Sequence, residues 1–156
     1  MTMADADDGA DPFEVVNDRC ACLHVRQASR AVTQFYDDAL RPVGLRSTQF
    51  ILLAALRLVG PVGITALAEE LVMDRTTVSR NIDLLEEEGW VSRSRGEDAR
   101  VREVHLTDAG NRKLEQAYPR WRDAQEEVEA ALEREGFDRL LQGLDQAVEA
   151  TRGETA

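Results

Sequence analysis

Residues 64–106, ITALAEELVMDRTTVSRNIDLLEEEGWVSRSRGEDARVREVHL, order a short helix, a turn, a second helix and a β-hairpin within 43 residues. Ile64 to Leu71 reads as the first helix, with Leu67 and Leu71 one turn apart on one face. After the turn residues Val72 and Met73, Asp74 stands where a carboxylate caps a helix from Arg75 to about Glu88, ended by Gly89. On that helix Val78, Ile82 and Leu85 recur at helical spacing and point inward. The opposite face therefore carries Arg75, Thr76, Thr77, Ser79 and Arg80. Trp90 to Arg95 and Val101 to Leu106 alternate around a polar tip, as the strands of a hairpin do. This is the grammar of a winged helix-turn-helix: two crossing helices leave the second free to enter a DNA major groove about 12 Å wide. Helix-start hydroxyls suit phosphate, and Arg75 or Arg80 suits the two acceptors of guanine. The hairpin adds Arg93, Arg95, Arg100 and Arg102, and those near its tip are placed for the adjacent minor groove.

The flanks of this segment are helical. Pro12 to about Leu40 predicts one long helix, with Pro12 in its first turn and Pro42-Val43-Gly44 as its exit. Its apolar residues fall on two stripes, one with Phe13, Val16, Cys20 and Leu23, the other with Cys22, Val25 and Val32, so it needs cover on two sides. Ser47 to Val59 predicts a helix capped by Ser47, with Phe50, Leu52, Leu53 and Leu56 supplying core, before Gly60-Pro61 breaks it. Thr107-Asp108 caps a long helix in which Leu114, Tyr118, Trp121, Gln125, Val128 and Leu132 form a heptad-like seam, with a bend at Pro119 and an interruption at Gly136. Phe137, Leu140, Leu141, Leu144 and Val148 form the stripe of a last helix. The expected fold is thus mainly α with a small β-hairpin wing. Residues 1–11 are expected to form a disordered acidic arm, 12–46 an N-terminal dimerisation helix, 47–106 the winged helix-turn-helix and 107–152 the C-terminal dimerisation helices.

Charge argues the other way at first. The 156 residues carry 19 basic and 30 acidic side chains, a net charge of -11, whereas nucleic-acid affinity rests on phosphate neutralisation. By region the imbalance is -4 over residues 1–73, -2 over 74–105 and -5 over 106–156, so the DNA-facing segment is only mildly acidic. Asp83 and Glu86 to Glu88 lie toward the far end of the second helix as a solvated face, which leaves its start and the wing locally positive. All basic residues but Lys113 are arginine, the donor best matched to phosphates and base edges. Two cysteines exclude a disulfide scaffold, and with only His24 and His105 there is no zinc pattern, so neither metal nor cofactor is expected. The acidic start is unlike a secretory or mitochondrial leader, and no apolar run approaches the roughly 18 residues of a membrane span; a cytoplasmic protein is expected.

The sequence resembles the MarR family of bacterial transcription regulators over roughly residues 13–135. The resemblance rests on ALRPVGL before the second helix, on ITALAEELVMDRTTVSRNIDLLEEEGWV, and on GEDARVREVHLTDAG from wing to helix. It implies a homodimer whose terminal helices interlock and whose two winged lobes read a pseudo-palindromic operator in double-stranded DNA. In that frame Arg100 enters the minor groove and Asp98 holds the wing. The DNA-binding set is then Arg75, Thr76, Thr77, Ser79, Arg80, Arg95, Asp98 and Arg100. A repressor of its own operon, or of a neighbouring efflux or detoxification gene, is the implied role.

Two kinds of effector are open. CLHVRQASRAVTQFY resembles the first helix of organic-hydroperoxide-sensing members of the family, with Cys22 seven residues before Ser29-Arg30 and Tyr36 matching a tyrosine that polarises the reactive thiolate. The other two tyrosines expected there fall at Arg26 and Ser47. Cys20 and Cys22, two apart on a helix, point about 200° away from each other and do not bridge without unwinding. The alternative is a small aromatic or phenolic anion in the cleft between dimer helices and winged lobe, with Arg30, Tyr36 and Phe50 as candidate lining residues. No nucleophile–base pair or phosphate loop is present, so an enzyme is not expected. A winged-helix protein-interaction module without DNA binding is the competing reading, against which Arg75, Arg80 and Arg100 stand together.

Overall fold

The computed structural model describes residues 11, 13–96 and 102–152. In chain order the elements are α1 (Glu14–Arg19), α2 (Ala21–Leu40), a 3-10 turn (Arg41–Val43), α3 (Ser47–Val59), β1 (Val62–Gly63), α4 (Ile64–Glu70), α5 (Arg75–Glu87), β2 (Val91–Arg95), β3 (Arg102–Leu106) and α6 (Asp108–Thr151). The expected helix–turn–helix–hairpin order is present, on a mainly helical chain with one small sheet.

The sheet is antiparallel in the order β1-β3-β2, with Val62 opposite Val104 and Val91 opposite Leu106. β1 is an addition to the expected hairpin. Its two residues follow Pro61 and have no alternating pattern of their own, so only pairing with β3 makes them a strand. The core gathers Leu52, Leu53 and Leu56 of α3, Leu67 of α4, Val78, Ile82 and Leu85 of α5, and Val91 and Val104 of the sheet. Leu114 and Ala117 of α6 and Leu40 of α2 close it.

Four local expectations are corrected. The single first helix is two, because Cys20 is extended (φ -74°, ψ 106°) between α1 and α2; its carbonyl accepts the backbone N–H of His24 at 3.1 Å and faces the His24 Nδ1 at 3.0 Å. Pro12 lies outside the described residues, and the exit is at Gly44, left-handed at φ 69°. Ser47 is the first residue of α3 rather than its cap. Asp37 of α2 takes the capping role from a distance, its Oδ1 accepting the Ser47 N–H at 2.7 Å and hydroxyl at 2.6 Å, while Arg46 N–H donates to Gln49 Oε1. Pro119 sits inside α6 with helical backbone angles, although it has no N–H for the Glu115 carbonyl and its ring crowds that carbonyl. The interruption within α6 falls at Glu133 (φ 56°, ψ 152°), three residues before Gly136. Nothing in the surroundings of Glu133 explains that choice.

The seam on α6 is also divided. Leu114 is buried in the lobe's core and Trp121 stacks on Phe50 with ring centroids 5.7 Å apart, whereas Tyr118 and Leu132 remain exposed. Its first half therefore serves packing within the chain, because α3 lies against it. Among the described residues no single helix is long and apolar enough to cross a membrane.

Candidate nucleic-acid interface

The turn between α4 and α5 is made by Val72 at φ 52° and by Met73, whose N–H returns to the Ala68 carbonyl at 2.8 Å. It delivers Asp74 to the α5 N-terminus, where its Oδ1 accepts the Thr77 N–H at 3.0 Å, the expected cap. Val78, Ile82 and Leu85 are fully buried, so the rotation of α5 about its axis is fixed. Arg75, Thr76, Thr77 and Arg80 stand exposed on the outer face and Ser79 is half-buried beside them. Among the described residues neither Arg75 nor Arg80 enters an ion pair.

The wing divides its arginines. Arg95 and Arg102 are exposed and directly opposite in the β2–β3 ladder. Arg93 is withdrawn: its side chain is 16% exposed, and it pairs with Asp83 at 2.5 Å and with Glu86, both on α5. Burial pulls the Arg93 pKa down, but the two carboxylates outweigh it and hold the guanidinium above its ordinary value. Arg93, which the sequence placed in the hairpin without a role of its own, is thus an internal tie between the wing and α5. Of the carboxylates read as a solvated face, Glu86 is half-buried by this contact while Glu87 and Glu88 stay exposed, and Asp83 meets Arg93 from an exposed position. Asp98 and Arg100 lie outside the described residues. Across the stem Ser92 Oγ meets His105 Nε2 at 2.7 Å. At its base the Thr107 hydroxyl donates to the Gly89 carbonyl and accepts the Gly110 N–H, locking the end of α5 to the start of α6.

The candidate effector residues are scattered. Cys22 is exposed and Cys20 half-buried, both as free thiols. Tyr36 lies fourteen residues along α2 from Cys22, about 21 Å at 1.5 Å per residue, so within one chain it cannot polarise that sulfur. Its hydroxyl donates instead to Gln125 Oε1 of α6 at 2.6 Å, and Gln125 Nε2 donates to Glu129. Burial, then the Glu129 charge, pushes the Tyr36 pKa up. Arg30 is exposed and borders none of the cavities described next. Tyr36 and Phe50 border one of about 190 Å³ together with Leu40 and Trp121. A larger cavity of about 510 Å³ opens between α3 and α6. Its walls include Phe50, Leu58, Tyr118 and Trp121, and an Arg57–Glu115 ion pair at 3.3 Å provides its charged groups. Arg57 escaped the sequence reading, and Tyr118 was read only as part of the α6 seam, since nothing local marks either as a cavity residue on an amphipathic helix. Among the described residues no cluster of His, Cys, Asp or Glu could hold a metal.

Residues 45–101 match the model of the MarR family. The chain is 33% identical over 120 residues to YwoH of Bacillus subtilis (strain 168), an uncharacterized HTH-type transcriptional regulator, across 75% of this chain and 88% of that protein. It is similar to the solved structure of the M. tuberculosis transcriptional regulator MosR in complex with DNA, at 39% identity and TM-score 0.73, covering 86% of this chain and 99% of that one. Its fold matches a mutant of E. coli MarR complexed with operator DNA at TM-score 0.78 and 22% identity, over 89% and 99% of the two chains. With its capped, outward-facing α5, its arginine-bearing wing and these relatives, the chain belongs to the MarR family of transcriptional regulators.

Proposed function

We propose that the protein works as a homodimer that binds a pseudo-palindromic site in double-stranded DNA and represses transcription until an effector releases it. The observation that carries the reading is the outer face of α5, where Arg75, Thr76, Thr77 and Arg80 are solvent-facing around a capped helix start while the opposite face is fully buried. Ser79 completes that face, and Arg95, Asp98 and Arg100 belong to the wing contact. The pairing of Arg95 with Arg102 supports a polyanionic partner, because like charges directly opposite in a ladder repel unless an anion lies between them. Residues 12–46 and 107–152 are assigned to dimerisation. Val16, Val25, Val32 and Phe35 on α1 and α2, and Leu140, Leu141, Leu144 and Val148 on α6, are exposed in the single chain and would be covered by a second copy.

The α3–α6 cavity favours a small-molecule effector over thiol oxidation: its aromatic walls suit a flat aromatic ligand, whose carboxylate would have to take Arg57 from its Glu115 partner. For oxidation at Cys22, with Cys20 as a second thiol, any polarisation of the sulfur by Tyr36 would have to come from the other copy. Fluorescence anisotropy on a duplex from upstream of the protein's own gene tests both, at two salt concentrations, with reduced protein, with an organic hydroperoxide and with a hydroxybenzoate. Nanomolar, salt-dependent binding released by the hydroxybenzoate is the expected result. Release by peroxide and recovery with thiol transfers the effector role to Cys22. Absence of binding at low salt favours a protein-interaction module.

A further inference from the structure

Along β2 the residues of one face are Val91, Arg93 and Arg95, and they grade from core to solvent: Val91 is buried, Arg93 reaches α5, and Arg95 is exposed toward the wing tip. The two α5 carboxylates that receive Arg93, Asp83 and Glu86, are three residues apart and so share a face. They lie in the C-terminal half of α5, where negative side chains oppose the helix dipole. A guanidinium offers donors in a planar fork and can serve two carboxylates at once, which a lysine ammonium does with no fixed direction. From this geometry we propose that Arg93 is the positioning residue that sets the wing against α5, so that Arg95 reaches its groove in register with Arg75 and Arg80. It acts on DNA only through that angle. The proposal rests on the DNA-binding reading above and adds a residue that does not itself touch DNA.

Electrostatics and positioning predict opposite signs for one variant. Asp83→Asn with Glu86→Gln removes two negative charges near the nucleic acid, which by charge alone tightens binding. If the tie sets the wing, the same variant frees Arg93 and weakens binding. The experiment uses full-length protein and a duplex selected by the wild type from a random pool, with anisotropy for affinity, hydroxyl-radical footprinting for wing contact and guanine-N7 methylation for α5 contact. The expected result for D83N/E86Q and for Arg93→Met is a fall of about ten- to hundredfold, the scale of losing a groove contact. Wing protection is lost, α5 protection persists at saturating protein, and Arg93→Lys recovers part of the affinity. If Arg93→Met does not fold, the surface double variant decides alone, since its carboxylates are 58% and 37% exposed. Tighter or unchanged binding by D83N/E86Q with an intact wing footprint overturns the tie while leaving the DNA reading standing. A wild type that selects no duplex overturns both.

Discussion

Gly110 in the first turn of α6 lies so close to the Trp90 carbonyl that a Cβ there would stand 2.0 Å from its oxygen. The same carbonyl accepts the Thr107 N–H at 3.1 Å, so the start of α6 is seated on the link between α5 and the wing. Gly110→Ala should force backbone apart and cost about 1–3 kcal/mol, the range for overpacking. Thermal and urea unfolding would check this, and a wild-type midpoint would remove the close approach from the account.

The Asp74 cap gives a second prediction. Asp74→Ala leaves the Thr77 N–H without its acceptor and should cost about 1 kcal/mol of stability. DNA affinity should fall with it, because the frayed turn carries Arg75 to Thr77. Asp74→Asn, which still accepts, should keep most of both; equal losses in the two variants would argue against capping.

For the exposed arginines, Arg75→Ala and Arg80→Ala should each weaken specific binding by about 1–3 kcal/mol when the lost contact is to a base. Where the contact is to phosphate, the loss should be uniform across sequences and lower the salt slope by about one. Arg95→Ala and Arg100→Ala test the wing in the same way. Affinity titrations at several salt concentrations separate the cases, and variants indistinguishable from wild type would leave that residue as a solvated charge.

The Phe50–Trp121 stack joins α3 to α6. Trp121→Ala should cost about 3 kcal/mol, at the lower end for a large aromatic because this one is only partly buried. Leu58→Ser on the same cavity, at a residue 85% exposed, should stay within about 0.5 kcal/mol. Denaturant midpoints decide; a costly Leu58 change would mean that this residue is covered in solution.

Tyr36 predicts an alkaline effect. Its folded pKa is raised above the ordinary 10.0 by burial first and Glu129 second, so the folded state holds the phenol proton more tightly than the unfolded chain. That contribution is complete below pH 10 and is lost as pH rises through the folded value. Between pH 9 and 11 the wild type should therefore lose more stability than Tyr36→Phe, in unfolding curves compared pH by pH (roughly the range bracketing a tyrosine pKa). Parallel losses would assign the alkaline sensitivity elsewhere.

Much of this protein was legible before any fold was known. The Asp74 and Thr107 caps, the buried stripe Val78, Ile82, Leu85 and the β2–β3 alternation each depend on residues two to four positions apart, and all stand as the residue pattern implied. The outward set of α5 followed, because fixing the buried face of a helix fixes the other. Elsewhere local patterns were silent. The β1 pairing joins Val62 to Val104, and Asp37 takes over the cap of α3 from ten residues away. Breaks at Cys20 and Glu133 likewise carry no signal of glycine or proline.

The sharpest division lies on a single strand. Arg93 and Arg95 are the same residue type two apart on one face of β2, and the sequence separates them only by Arg95 being nearer the hairpin tip. Short-range spacing determined that both belong to the wing, since strand alternation and turn chemistry are properties of adjacent residues. Only the docking of β2 against α5 decided that Arg93 meets Asp83 and Glu86 while Arg95 stays exposed. That choice depends on the distance between two surfaces set by the whole core. The α3–α6 cavity has the same origin, for its aromatic walls come from helices that converge only once the chain is packed.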